Sequence, residues 1–254
     1  MAGASAATRE GVPTLGTEQA VQWPRRMRRR MLNGLEVVLV ESHTIPKFTG
    51  QLIFRSGNAL ASREAPGLAD MTASVVRTGT ASRSSRQIEE DLRTMGADLS
   101  CSAGADSSAI SFSGLTEFSS GLLALVADLA QSATFPADEF ERERRQRLEE
   151  LRIERTTPGF LAGERLRKVL FGAHPYSIAV PTEAQVESYR REQLVEFYRQ
   201  NYVPGNALLI AVGDFASEKM WEQIEKTFKH WSGSRATQPE FPAPTKAIGR
   251  RVHL

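Results

Sequence analysis

Asp98–Leu115, "DLSCSAGADSSAISFSGL", decides how the rest of the chain is read. It divides into two strand-like runs, Asp98–Ala103 and Ser108–Leu115, joined at "GADS" as a hairpin. On its N-terminal side lie two more strand-like segments with β-branched and alternating apolar positions, Gly34–Glu41 and Phe48–Arg55, with Pro46 in the link between them. Two predicted helices connect these to the hairpin. Pro66–Thr80 has Pro66 suited to its start and Gly79 to its end. Ser84–Met95 has Ser84 and Gln87 at capping-box spacing, Ile88, Leu92 and Met95 as an apolar stripe, and Gly96 to close it. After the hairpin, helices are predicted over Gly121–Ala133, Ala137–Glu154 and Phe160–Phe171, followed by a loop, "FGAHPYS". A helix over Arg190–Asn201, a buried strand in "NALLIAVGDF" and a last helix over Ser217–Trp231 complete the order ββαα, ββ, ααα, αβα. Neighbouring strands with helices in runs argue an α+β fold: one mixed, largely antiparallel sheet with helices packed on one face.

Composition narrows the class. The chain has 254 residues, 41% hydrophobic and 24% charged, which suits a globular protein with a sizeable core. A net charge of +2 singles out no partner, and no nucleic-acid partner is expected. The local excess "PRRMRRR", Pro24–Arg30, reads as a solvated lead-in to the first strand; its sharper reading is a contact for an acidic peptide, a lipid headgroup or a partner. The one cysteine, Cys101, lies in a strand-like run and reads as a small buried apolar residue; alone it forms neither an intrachain disulfide nor a cysteine-based zinc site. No stretch approaches the roughly 20 apolar residues of a membrane span. Met1–Ala20 lacks the apolar core of a signal peptide, so the location is cytoplasmic as written, or periplasmic if an upstream signal was removed. The expected organisation is a flexible tail over 1–25, an α+β domain over 26–232, and a Pro-rich linker over 233–254 whose final "RRVHL" opens a further strand.

The helix in Pro66–Thr80, "PGLADMTASVVRTGT", is the place to look for chemistry. At about 100° per residue, Leu68, Met71, Thr72, Val75 and Val76 share a core-facing side, and Asp70, Ala73, Ser74 and Arg77 share the other. On an open helix face, positions i and i+4 can present two zinc-binding histidines, and i+3 a glutamate that activates the metal-bound water. Here those positions hold Asp70, Ser74 and Ala73. A hydroxyl is a poor zinc ligand and a methyl group takes no proton. From the residues alone this is a plain amphipathic helix.

The same run resembles the segment G-L-A-H-x-x-E-H followed by G-T, the inverted zinc motif of the pitrilysin, insulysin and mitochondrial processing peptidase family. "LNGLEVVLVESHTIPKFTGQLIFRSGNALASREAPGLA", Leu32–Ala69, is similar to that family's opening strands. "FERERRQRLEELRIE", Phe140–Glu154, resembles the helix carrying the third zinc ligand, a glutamate roughly 75 residues beyond the second histidine; that count falls on Glu150, with Glu143 two turns earlier on the same face. "FGAHPYSIAVPTEAQVESYRREQLVEFYRQNYVPGNALLIAVGDF", Phe171–Phe215, resembles the family's H-P-Y loop, its F-Y-x-x-x-Y-x-P helix end and its closing strand. The likeness runs from Leu32 to Trp231.

The resemblance implies the first half of a two-half subunit whose motif is degenerate at Asp70, Ala73 and Ser74. It implies a subunit without catalysis of its own and without bound zinc, the cofactor of the active relatives. Such a subunit pairs with one carrying an intact H-x-x-E-H, and together they form a chamber for degrading or processing peptides. Glu150 is then the retained third-ligand position, Glu143 a carboxylate beside it, and His174 and Tyr176 candidates for the peptide cleft. Two other readings stay open: an active metallopeptidase with an atypical site built from Asp70, Glu150 and His174, or a purely structural interaction subunit. His43, His230 and His253 have no ligand spacing with one another.

Overall fold

The computed structural model describes residues 23–61, 65–178, 180–233 and 241. Six strands among them, β1 (Arg26–Arg30), β2 (Glu36–Glu41), β3 (Lys47–Phe54), β4 (Asp98–Ala103), β5 (Ser108–Leu115) and β6 (Ala207–Gly213), join one sheet in the order β1-β2-β6-β3-β5-β4. Only β2 and β6 run parallel; every other neighbouring pair is antiparallel. The sheet is mixed and largely antiparallel, as the element order predicts. Alternation assigns its faces. On β3, Phe48, Leu52 and Phe54 are buried while Lys47, Thr49 and Gln51 are exposed. Val37, Leu39, Ile110, Phe112, Leu209 and Ala211 extend that inner face and belong to one core with the helices. Gly50 keeps the inner face passable: a Cβ there would lie 2.5 Å from the Phe112 ring.

The helices are α1 (Leu68–Val76), α2 (Ser85–Met95), α3 (Ser119–Ser132), α4 (Ala137–Glu154), α5 (Pro158–Phe171), α6 (Glu183–Glu187), α7 (Arg191–Asn201) and α8 (Ser217–Phe228). The capping box on α2 forms as its spacing dictates, with the Gln87 N–H donating to Ser84 Oγ and the Ser84 N–H to Gln87 Oε1; Gly96 closes the helix in the left-handed conformation. No helix among the described residues is long and apolar enough to cross a membrane.

The structure departs from the sequence reading in three places. "PRRMRRR" is not a mere lead-in: Arg26–Arg30 is an edge strand paired residue for residue with Val40–Glu36 of β2. The five-residue α6, with its own capping box from Thr182 and Gln185, lies in what read as featureless chain. The helix expected over Pro66–Thr80 is shorter, and Gly79 and Thr80 instead form isolated bridges to Ser84 and Ala133. Most of the expected tail and nearly all of the expected linker, with "RRVHL", lie outside the described residues.

What matters for the site is how α1 is held. Its N-cap, Gly67, has φ +82°, in the left-handed region that favours glycine. A Cβ there would sit 3.0 Å from Pro181 and 3.1 Å from the Tyr189 hydroxyl. That hydroxyl donates to the Pro66 carbonyl, tying the entry of α1 to the lead into α7. At the exit, Asp128 of α3 accepts from Thr80 Oγ1 at 2.7 Å, Ser82 Oγ at 2.6 Å and Arg83 Nη1 at 2.6 Å. Tyr198, from the F-Y-x-x-x-Y-x-P segment, donates to the Leu129 carbonyl at 3.0 Å and accepts from the Ala133 N–H at 3.2 Å, so this motif is architecture. Tyr189→Phe is expected to cost about 1–2 kcal/mol in denaturant unfolding, because the Pro66 carbonyl loses its buried donor. An unchanged unfolding midpoint would mean that the hydroxyl does not hold the helix.

Candidate functional site

Helix α1 lies between the edge strand β4 and helix α4, and the three elements enclose a trough. At its centre is a crevice of about 70 Å³ lined by Asp70 and Ser74 of α1 and by Glu143, Gln146, Arg147 and Glu150 of α4. It shares Gly67, Asp70 and Pro181 with a cleft of about 500 Å³ on one side. It shares Ser74, Glu143 and Gln146 with a polar space of about 490 Å³ on the other. Strand β4 borders both larger spaces, through Ala103 in the first and Cys101 in the second.

The fold therefore brings Asp70, Ser74, Glu143 and Glu150 to one crevice, although α1 and α4 are separated by two helices and a hairpin in sequence. Ala73 is the exception. It is 1% exposed and absent from the crevice wall, whereas helical phase alone put it on the open side. A methyl group is too short to reach the opening, and the packed neighbours of α1 close over it.

Asp70 keeps contact with water, yet protein surrounds most of its carboxylate. Burial pushes its pKa above the usual value; the Asn58 amide, the charge of Arg147 and the Ala103 N–H act in the opposite direction. The Asn58 Nδ2–Oδ2 distance is 3.1 Å, and the Asp70 N–H donates back to Asn58 Oδ1 at 3.3 Å. The Ser74 hydroxyl donates to the Asp70 carbonyl at 3.2 Å. Glu150 accepts from Gln146 at 3.1 Å and from Arg147 at 3.3 Å, and Glu143 from Arg142 at 3.1 Å.

These donors do not fit the zinc site that the resemblance implies for intact relatives. A tetrahedral zinc centre takes imidazole or thiolate with at most one or two carboxylates. Here there are three carboxylates, Asp70, Glu143 and Glu150, no imidazole or thiolate, and a hydroxyl already engaged by its own helix, with a guanidinium lying among them. Among the described residues no three His, Cys, Asp or Glu side chains converge as a metal site.

His174 lines neither the crevice nor the larger cleft. Its Nδ1 accepts the Tyr176 N–H at 3.2 Å, capping the short 3-10 turn Pro175–Ser177, and its ring packs against Phe171, Tyr176 and Phe241. It does not join Asp70 and Glu150 as a third ligand. Tyr176 does line the larger cleft, and its hydroxyl donates to Asp106 at 2.6 Å in the β4–β5 turn. Cys101 is partly buried, and desolvation pushes its thiol up to about 12, so it offers no thiolate near neutral pH.

Sequence reasoning missed Arg147. The signal was available: it is four residues after Glu143 and three before Glu150, which places it between them on one helix face.

Comparison with known proteins gives consistent findings. The sequence matches the family profile described as Insulinase (Peptidase family M16) over residues 36–178, and that described as Peptidase M16 inactive domain over residues 188–254. An uncharacterized zinc protease of Rickettsia bellii (strain RML369-C) is 23% identical over 221 residues, 87% of this chain and 53% of that protein. Cytochrome b-c1 complex subunit 1, mitochondrial, of Bos taurus is 24% identical over 224 residues, 87% of this chain and 46% of that protein. The crystal structure of a peptidase M16 inactive domain from Pseudomonas fluorescens superposes with a TM-score of 0.79 at 26% identity, over 87% of this chain and 54% of that one. The chain spans about half the length of the curated relatives it matches.

Proposed function

This chain belongs to the insulinase family of peptidases, M16, and from that premise we propose that it is a non-catalytic subunit. It pairs with a relative carrying an intact H-x-x-E-H and completes a peptide-holding chamber. The observation that carries this reading is the crevice itself. The positions that would hold two histidines and a glutamate are Asp70, Ser74 and Ala73, and Glu150 still shares the crevice with Asp70 and Ser74 from α4 while Ala73 is buried. No metal-bound water and no base to deprotonate it are on offer, so the chain binds no stoichiometric zinc and cleaves no peptide alone.

What remains is a shape suited to a peptide. Among the described residues strand β4 is the last in the sheet order, with no strand paired to one of its edges, and the trough runs beside it. An extended segment can add to such an edge through main-chain hydrogen bonds and place alternate side chains in flanking spaces. The cleft around Tyr176 and Pro181 offers apolar walls with Asp70 and Arg167 as polar points. A subunit of this kind contributes by enclosing and positioning the peptide.

The test is a peptide-cleavage assay on this chain, on an M16 subunit with an intact H-x-x-E-H from the same genome, and on the two co-expressed. Activity is expected to be absent in the first, low in the second, and at least about tenfold higher in the third. A stable complex without any gain in activity would favour a purely structural subunit, a reading in line with the likeness to a subunit of the cytochrome b-c1 complex. Chelator-sensitive hydrolysis by this chain alone would overturn the proposal.

A further inference from the structure

The residue that the motif comparison does not cover is Arg147. It projects from the middle of α4 into the crevice that holds Asp70, Ser74, Glu143 and Glu150. Its guanidinium donates to Glu150 at 3.3 Å and to both carboxylate oxygens of Glu154, at 3.0 and 3.4 Å. From across the crevice its charge acts on Asp70 of α1. Its side chain is 22% exposed, against 55% for Arg142 and 53% for Arg152 on the same helix. Those two arginines make ion pairs from solvent-exposed side chains, Arg142 with Glu143 and Arg152 with Glu149. Arg147 instead points inward, bonds to Glu150 and Glu154 of its own helix, and lines the same crevice as Asp70 of α1.

A guanidinium suits this task. It is planar and permanently charged, and its several N–H groups can serve more than one carboxylate at once. Without it, the carboxylates that the fold drives together here would repel one another, and they would form a surface attractive to cations. With it, the crevice holds a fixed positive charge where a divalent ion would need to approach Glu150.

We infer that Arg147 is the built-in cation of this crevice: it takes the electrostatic place of a bound metal, offsets part of the negative charge of Glu150, Glu154 and Asp70, and bars divalent ions even when histidines are restored on α1. The inference rests on reading the crevice as a peptidase metal site that has lost its ligands. It adds that the loss is locked in by a residue outside the motif.

Two measurements test it. In the first, the double change Asp70→His, Ser74→His is made with and without Arg147→Met, and zinc affinity is read by competition against a chromophoric chelator. Methionine keeps an unbranched stem without the charge. Removing the guanidinium is expected to tighten zinc binding at least about tenfold, the scale on which groups surrounding a metal act. Equal affinities in the two backgrounds would overturn the inference. The second measurement needs no new histidines. Arg147→Met and Arg147→Lys are melted beside the unaltered protein near neutral pH, with and without millimolar Mn²⁺. Arg147→Met is expected to lower the melting temperature by about 4 °C or more, and Arg147→Lys by less. Mn²⁺ is expected to return part of the loss in Arg147→Met and to leave the unaltered protein unmoved. If Arg147→Met melts like the unaltered protein, the guanidinium compensates nothing and the inference fails. That failure leaves the proposed function standing as long as the unaltered chain is free of stoichiometric zinc; zinc in the unaltered chain would be a failure of the function proposal itself.

Discussion

Ala73→Glu, the change that restores the base of the intact motif, is expected to cost about 3 kcal/mol or more, seen as a melting temperature lower by about 6–12 °C. Ala73 is 1% exposed in the middle of α1, among Met71, Thr72, Val75 and Val76, all buried. A glutamate adds a longer stem and a charge where the packing leaves room for a methyl group. The carboxylate then either stays inside without a partner or forces α1 away from its neighbours. The entry of that helix is tied by Tyr189 and its exit by Asp128, so it cannot yield without breaking hydrogen bonds at an end. Asp70→Ala and Ser74→Ala, at positions that reach the crevice, are expected to change stability by less than about 1 kcal/mol each. A melting temperature unmoved by Ala73→Glu would mean that the crevice opens far enough to take the carboxylate, returning position 73 to the open face of the helix. The consequence for rebuilding the active site is direct: restoring both histidines and the glutamate is not enough, because the fold has closed over one position and set Arg147 against the others.

How far the fold could be read from sequence depended on where each signal lay. The hairpin Asp98–Leu115 was legible to the residue because Gly104 and the polar "ADS" mark its turn, and because its two strands are adjacent in sequence and pair with each other directly. Helix α2 was legible because Ser84, Gln87 and Gly96 write its ends into the sequence. Strand β1 was hidden. As an edge strand with an exposed surface it can carry Arg26, Arg28, Arg29 and Arg30, and its pairing with β2 runs through backbone that no side-chain pattern reports. The convergence of α1 and α4 on one crevice could not come from spacing within either helix. It came from the family register, which set Glu150 opposite Ser74. Ala73 and Arg147 escaped for opposite reasons. Helical phase gives the direction of a side chain but not whether neighbours cover a short one. The arginine was lost among the many charges of α4, ten of whose side chains between Asp138 and Glu150 are ionisable.

Purified without chelator, the unaltered chain is expected to carry less than about 0.1 zinc per molecule and to hydrolyse peptides no faster than a buffer blank. Zinc needs neutral imidazole, thiolate or carboxylate held at about 2.0–2.3 Å in a tetrahedron. The crevice offers Asp70, Glu143 and Glu150, but Glu150 is bonded to Arg147 and Gln146, Glu143 to Arg142, and Asp70 to Asn58. The Ser74 hydroxyl is turned back to its own helix, and His174 uses Nδ1 to cap the turn containing Tyr176. Cys101, whose thiol is pushed up to about 12, supplies no thiolate. Without the metal, a water bound there keeps a pKa near that of bulk water, about 15.7 rather than about 7. Without a carboxylate at position 73, the further factor of roughly 10²–10⁴ from general-base assistance is absent as well. The two losses compound, so residual turnover should fall below detection. Zinc content by mass spectrometry and cleavage of a fluorogenic peptide, each with and without a chelator, check both halves. About one zinc per chain, lost on Asp70→Ala or Glu150→Ala and accompanied by chelator-sensitive cleavage, would replace the non-catalytic reading with an atypical metallopeptidase. In that case Arg147 would have to leave its carboxylates whenever metal entered, and Arg147→Met would raise activity.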